Sequence, residues 1–162
     1  MPTLVKRKAP RSPRLSPASV RRLADAMLKT LALEHSELSI LLTDDRTIHA
    51  LNRQHRDKDR PTDVLSFPLD EQADGPEELR VLGDVVISLD TAQRQALSRK
   101  RDLLTEVRFL LAHGILHLIG HDHAYPAQKR RMTALTRHLV RQAPLPVSVP
   151  LSRSKRPSNR RR

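Results

Sequence analysis

The 162-residue chain is long enough for one domain and carries a net charge of +12. It contains no cysteine, which excludes disulfides and thiolate metal ligands. No apolar run reaches the roughly 18 residues that a membrane-spanning helix needs. We therefore expect a soluble, unexported protein of the cytoplasm.

The positive charge belongs to the two ends of the chain. Residues 1–22 carry seven Lys or Arg and residues 129–162 carry eleven, whereas residues 23–128 set 12 bases against 18 acids. Basic ends without aromatic residues can attract nucleic acid by neutralising phosphates without reading bases. They are equally typical of solubilising, disordered tails. The composition leaves both interpretations open.

The first predicted element follows a basic, Pro-rich arm. Residues 1–15 have little to bury and are predicted to be disordered. Ser16 and Pro17 suit the cap and the first position of a helix, and apolar residues then recur at helical spacing to about Leu33. The folded domain is expected to begin at this helix.

The middle of the chain predicts strands around one short helix. Residues 37–43 (ELSILLT) read as a buried strand, and Asp44 or Asp45 caps a helix to about residue 53. A charged loop precedes a strand at 64–68, and the acidic segment 69–78 predicts an exposed hairpin loop. Residues 79–89 form the strongest strand, with a bulge or close approach at Gly83-Asp84.

Helices dominate the last third. They are predicted at residues 91–98, 102–120 and 126–141, and the second is apolar over most of its circumference, so it should be the buried centre. Residues 142–162, rich in Pro, Ser and Arg, predict a disordered basic tail. The domain organisation is therefore an arm (1–15), a folded domain (16–141) and a tail (142–162).

A histidine pair on the apolar helix predicts a metal site. His113 and His117 are four residues apart, which places both rings on one helical face. Gly120 can end the helix with a positive φ and return the chain toward them. Three imidazoles would leave one position for water, as in catalytic zinc sites. A single histidine on such a helix would more often be structural, but four of the eight fall within eleven residues.

Spacing alone does not choose the third ligand. His121, Asp122 and His123 all follow the terminating glycine, and Asp122 could instead orient a ligand from outside the coordination sphere. The pattern is similar to a zincin motif, but Gly114 replaces the Glu that serves as general base in peptide hydrolysis. A metallopeptidase is therefore disfavoured, and a phosphodiester substrate is favoured, because its cleavage depends more on charge stabilisation.

The charged loop before the strand at 64–68 supplies candidate phosphate ligands. Arg56 could steady a phosphate with its planar guanidinium, and Lys58 and Arg60, which the family resemblance described below would make RNA-binding residues, lie in the same loop. Without other information such a loop is usually a solvated turn.

Three segments resemble the YbeY family of single-strand-specific endoribonucleases. They are residues 56–68 (RDKDRPTDVLSFP), 82–87 (LGDVVI) and 113–123 (HGILHLIGHDH), in the family's order and spacing. The resemblance covers about residues 15–140. It implies an α+β domain with a small mixed sheet of about four strands, about five flanking helices and a zincin-like metal helix. It also implies maturation of the 16S rRNA 3′ end and ribosome quality control, with small-subunit ribosomal proteins or GTPase assembly factors as partners.

The resemblance also assigns residues. One zinc ion per chain would be held by His113, His117 and His123, and Arg56 would be the functionally important arginine. The family often has Tyr at the position of His121, so the resemblance leaves that ring's role open. Asp122 and His121 remain candidates for an outer-shell role. Another zinc hydrolase, such as a degenerate peptidase, and a ribosomal RNA-binding protein with structural zinc are the alternatives.

Overall fold

The computed structural model describes residues 3–8, 15–69, 80–143 and 145. The chain forms four strands and five helices in these ranges, in the order β1 (Thr3–Lys8), α1 (Pro17–Thr30), β2 (Glu37–Thr43), α2 (Asp45–Arg56), β3 (Val64–Pro68), β4 (Val81–Ser88), α3 (Leu89–Ser98), α4 (Leu103–Leu118) and α5 (Pro126–Gln142). The predicted α+β architecture of one mixed sheet with flanking helices is confirmed. The hairpin loop predicted at 69–78 falls largely outside the described residues, as does nearly all of the tail predicted at 142–162. Within the described ranges, no helix has both the length and the apolar character needed to cross a bilayer.

The strands form one sheet in the order β1-β2-β4-β3. Strands β1, β2 and β4 run parallel, and β3 pairs antiparallel with β4 at the edge. The predicted irregularity at Gly83 is present as a register shift, because Leu38 pairs with Gly83 while Glu37 pairs with Val81. Gly83 has φ +130°, and a Cβ there would lie 2.1 Å from the carbonyl oxygen of Phe67. Only glycine lets β3 and β4 approach this closely at Gly83.

The prediction of a disordered arm at residues 1–15 is wrong for residues 3–8, because these residues form β1. Alternate residues of this strand face inward: Thr3 is buried and Val5 half-buried, while Lys6 and Lys8 are exposed. The Thr3 hydroxyl also donates a 2.7 Å hydrogen bond to Asp25 of α1. An edge strand needs only one apolar face and tolerates lysines on the other. The basic composition of residues 3–8 therefore predicted disorder although these residues form a strand.

The sheet carries a large core on one face and a small one on the other. On the large face, α1 and α4 pack over the inward residues of β2 and β4, including Ile40 and Val85. On the other face, Ile48 of α2 packs against Leu65 and Val86. Helix α4 is buried around most of its circumference, as predicted, and its C-terminal half lies beside the edge strand β3.

Candidate metal centre

Helix α4 presents two histidines at its C-terminal end. His113 and His117 lie on consecutive turns, with their Nε2 atoms 3.1 Å apart and their rings 4.6 Å apart between centroids. Both side chains are half-buried. The four-residue spacing therefore does align two imidazole nitrogens at one point.

A C-terminal turn returns the chain toward this pair. The N–H of Gly120 donates to the carbonyl of His117 at 3.1 Å, and the N–H of His121 donates to that of Leu116 at 3.0 Å, which is the Schellman pattern. Gly120 has φ +99°, as the predicted terminating glycine requires. His123 then lies beside both histidines, with ring centroids 5.2 Å from His117 and 5.7 Å from His113.

The three histidines form a group that can hold a metal ion. One nitrogen from each lies within 4.8 Å of the others. Tetrahedral zinc with Zn–N bonds of about 2.0–2.1 Å would require nitrogen separations of about 3.3 Å. The 3.1 Å between His113 and His117 is close to this value.

The cleft keeps two of these imidazoles neutral. Burial, followed by the nearby His113 and His123, lowers the pKa of His117 from 6.5 to about 4. Burial also lowers the pKa of His113, with a further contribution from His123. Metals bind the neutral ring, so protons compete weakly for these two nitrogens near pH 7.

The residues between the ligands differ in what they contact. The Asp122 carboxylate accepts a 2.7 Å hydrogen bond from the backbone N–H of His123 and lies 3.8 Å from its Nδ1. Asp122 is thus positioned to fix the backbone that carries the third ligand. His121 is half-buried and outside the three-nitrogen group. The outer-shell roles of Asp122 and His121 remain predictions.

Gly114 faces the sheet rather than the metal group. A Cβ at this position would lie 2.7 Å from Cγ1 of Val85 and 3.3 Å from Cγ2 of Val64. The Ser66 hydroxyl donates to the Gly114 carbonyl at 2.9 Å. A Glu in this position of a zincin motif would collide with the sheet, so close helix-to-sheet packing explains the glycine.

The three histidines open onto a cleft of about 240 Å³ that also contains the predicted basic residues. Arg56, Lys58 and Arg60 all line it. The sequence placed Arg56 in a loop, but α2 extends to Arg56 because Asp57 takes a left-handed conformation (φ 54°) and caps the helix. Arg56 and His117 line the same cleft, and the positive charge of Arg56 contributes to the lowered pKa of His117.

Asn52, to which the sequence analysis gave no role, holds the basic segment in place. Its side chain is 2% exposed and donates a 2.8 Å hydrogen bond to the carbonyl of Arg60. Its backbone carbonyl accepts from the N–H of Lys58 at 3.3 Å. His49 and Asp59 add a 2.8 Å contact across the same segment. The sequence did contain a signal for this role, since Asn52 follows Ile48 by one helical turn and so lies on the buried face of α2. A buried amide requires a hydrogen-bond partner.

Asp63 is the second lining residue that the sequence analysis did not single out. Its Oδ1 accepts from the N–H of Val64 at 2.8 Å and its Oδ2 from the amide of Gln95 at 3.2 Å. Its negative charge acts to raise the pKa of His113, against the effect of burial. A carboxylate fixed beside the histidines favours a cation in the cleft. The sequence placed Asp63 in the segment that carries the family resemblance, directly before the strand at 64–68, but gave it no role.

Comparison with known proteins identifies the family of this chain. The family model described as endoribonuclease YbeY matches residues 9–143. The chain belongs to the YbeY family. The match includes the three histidines and the basic segment, while the whole of β1 precedes it.

Three YbeY-family relatives show how far the similarity extends. "Endoribonuclease YbeY" of Myxococcus xanthus is 53% identical over 117 residues, covering 72% of this chain and 40% of the relative. That of an Anaeromyxobacter species is 51% identical over 123 residues, covering 75% and 62%. That of Heliobacterium modesticaldum is 42% identical over 144 residues, covering 83% and 87%. The chain therefore spans less than two thirds of the first two relatives.

A solved structure shares the YbeY-family fold of this chain. The solution structure of TM1509 from Thermotoga maritima matches with a TM-score of 0.62 and 24% identity, covering 87% of this chain and 88% of that one. At this identity the similarity concerns the fold alone.

Proposed function

We propose that this chain is a zinc-dependent endoribonuclease specific for single-stranded RNA. The observation that carries the proposal is that the three-histidine group and Arg56 line one cleft, together with Lys58 and Arg60. Membership of a family named for endoribonuclease activity supports the choice of RNA. Three imidazoles with one zinc per chain would leave a position for water, as catalytic sites do.

The residues divide the chemistry between them. Zinc, when bound by His113, His117 and His123, supplies a Lewis acid and lowers the pKa of water. The Arg56 guanidinium can donate two parallel hydrogen bonds to the phosphate and stabilise charge that develops on its oxygens. Lys58 and Arg60 attract the RNA backbone into the cleft, where they are exposed.

Peptide hydrolysis fits the cleft less well. A zincin peptidase needs a glutamate beside the first metal ligand, and Gly114 packs too closely on Val85 to be replaced by one. Asp63, the carboxylate that does line the cleft, already accepts hydrogen bonds from Val64 and Gln95. The nuclease requires no carboxylate base if charge stabilisation dominates.

The biological substrate we propose is the precursor of 16S rRNA at its 3′ end, in the cytoplasm. Small-subunit ribosomal proteins or GTPase assembly factors would bring the enzyme to it. This rests on the family resemblance, and the open, basic cleft is compatible with a flexible strand. Cleavage of a 16S 3′-end RNA, compared with a hairpin of the same composition, measures the preference for single strands.

Metal content and RNA cleavage together test the proposal. The purified protein should contain about one zinc per chain and cut single-stranded RNA, but not a peptide panel. Chelation and His117→Ala should both abolish cleavage. Arg56→Ala should retain zinc and lose about 100-fold to 1,000-fold in kcat, as when one charge-stabilising donor is removed. Arg46→Ala, at the other end of α2, is the matched control.

Two outcomes would contradict the nuclease. Cleavage that survives chelation and both substitutions would come from another site or a contaminant. Zinc removal by His113→Ala that unfolds the domain, together with RNA binding but no turnover in the wild type, would instead assign zinc a structural role in an RNA-binding protein.

A further inference from the structure

Helix α5 exposes positive charges, with no negative charge among them, outside the cleft. Its 17 residues contain no acid and five bases, all exposed, namely Lys129, Arg130, Arg131, Arg137 and Arg141. Within the described part of the chain, no ion pair joins any of the five to a carboxylate. Folding therefore does not use these charges, and each remains available to an anionic partner.

Part of this face is concave. A shallow groove of about 310 Å³ is lined by Lys129, Arg130, Thr133, Ala134 and Arg137. Seven residues separate Arg130 from Arg137, which corresponds to about 10 Å along the helix. Cations about two turns apart, with Thr133 and Ala134 between them, let a phosphate chain lie against the helix. We call the surface formed by Lys129, Arg130, Thr133, Ala134 and Arg137 the α5 groove.

The helix is a rigid support for this groove. Its opposite side contributes the buried Met132, Leu139 and Val140 to the core. Arg108 of α4 donates to the carbonyls of Val140 and Ala143, both at 3.4 Å. Exposed substitutions on α5 can therefore change charge without disturbing packing.

The α5 groove is continuous in sequence with the metal centre. Helix α5 begins at Pro126, three residues after the ligand His123. Between them lies Tyr125, whose ring is 68% exposed, whereas both phenylalanines of the chain are half-buried. An exposed aromatic ring followed by cations is the combination that binds single strands, through base stacking and phosphate contacts. An acidic protein would use the cations but not the ring.

We infer that the α5 groove binds the backbone of single-stranded RNA outside the cleft, and that Tyr125 stacks on a base between the two. The inference rests on the proposed function, because it extends the same RNA from the metal centre along α5. The groove would then raise affinity for long strands while leaving the reacting phosphate to Arg56 and the histidines.

Binding of the metal-loaded full chain to a long 2′-O-methylated RNA tests this inference, with the strand verified intact after each titration. Lys129→Gln/Arg130→Gln/Arg137→Gln removes the groove charges. The matched control is Arg46→Gln/Arg80→Gln/Lys100→Gln, which removes the same charge from exposed residues elsewhere. The groove variant should flatten the slope of log K against log salt by about 2 and weaken binding about 10-fold or more at 0.1 M salt.

A second variant places a negative charge in the groove. Ala134→Glu should weaken binding of the long strand, while Ala134→Gln, with equal bulk, should not. Tyr125→Leu should weaken binding without changing the salt slope. Cleavage of a dinucleoside phosphate, which fills only the cleft, should be the same in the groove variant and the wild type where the wild type cleaves it.

Salt slopes and affinities equal to those of the control would overturn the inference. If those variants instead lose retention on polyglutamate alone, the groove binds acidic proteins and not RNA. Failure of the proposed function looks different, because wild-type protein would then bind the long strand through the groove yet cleave no RNA.

Discussion

Gly114 of α4 packs directly on Val85 of β4, so closely that a Cβ atom on the glycine would lie 2.7 Å from Cγ1 of the valine. This contact lies one residue after His113, the first histidine of the proposed metal site. It sets how near the metal helix approaches the sheet, and hence where His113 and His117 open into the cleft. The glycine thus positions the site through packing and also excludes the glutamate of a zincin peptidase.

Gly114→Ala should destabilise the protein. In a free helix alanine would be favoured by about 1 kcal/mol, but overpacking against Val85 costs about 1–3 kcal/mol, so a net loss is expected. Zinc affinity should fall with it, because α4 must move away from the sheet. Denaturant unfolding and metal titration measure both effects. Adding Val85→Ala should recover part of the zinc affinity, and a single variant as stable as the wild type would refute the packing argument.

Asn52→Leu should impair RNA cleavage without removing the metal. Leu has a side chain of similar size but cannot donate to the Arg60 carbonyl, so the free energy of unfolding should fall by about 1 kcal/mol. The basic segment should loosen, raising KM and accelerating hydrogen exchange of the Lys58 amide. Gln54→Ala, exposed on the same helix, is the control. Unchanged exchange at Lys58 would show that Asn52 does not position the segment.

The buried carboxylate of Glu106 should depend on its two arginine partners. Glu106 is fully buried and accepts from Arg99 at 2.7 Å and from Arg101 at 2.6 Å, while these arginines remain 55% and 25% exposed. Arg99→Met/Arg101→Met should cost about 3 kcal/mol or more, because it leaves a buried charge unpaired. Glu106→Gln should cost less, since the arginines can be hydrated.

The exposed pair Arg94–Asp45 provides the comparison for this prediction. Its nitrogen and oxygen are also 2.7 Å apart, but Arg94 is 61% exposed. Arg94→Met should therefore cost about 1 kcal/mol or less. Equal losses of unfolding free energy for the two pairs would contradict the role assigned to burial.

Metal-free protein should lose stability as the pH falls from about 6.5 to about 4. In this window the unfolded state binds a proton at His117, whose folded pKa is about 4, so stability rises with pH. His113, whose folded pKa is also lowered, adds to the slope. His117→Gln should reduce the pH slope of the unfolding free energy, whereas His35→Gln, exposed and outside the cleft, should not. An identical slope in both variants would mean that burial does not lower the pKa of His117 in the folded protein.

The element types were predictable where local rules act. Asp44 accepts from the N–H of Thr47 at 2.8 Å and starts α2, and Gly120 ends the turn that follows α4, as their residue types indicate. Capping and hydrophobic periodicity involve neighbours only a turn apart. Strand β1 was missed because its identity depends on pairing with β2, more than thirty residues away.

The sequence by itself determined the metal-binding face, since a four-residue spacing on a helix aligns two imidazoles whatever surrounds them. It also determined the basic segment that carries Arg56. Only the tertiary structure decided that these two parts share one cleft, because Asn52 folds the segment back and α4 rests on the sheet at Gly114. Burial, a property of the whole fold, then lowered the pKa of His117, which keeps the ring neutral and able to bind a metal near neutral pH.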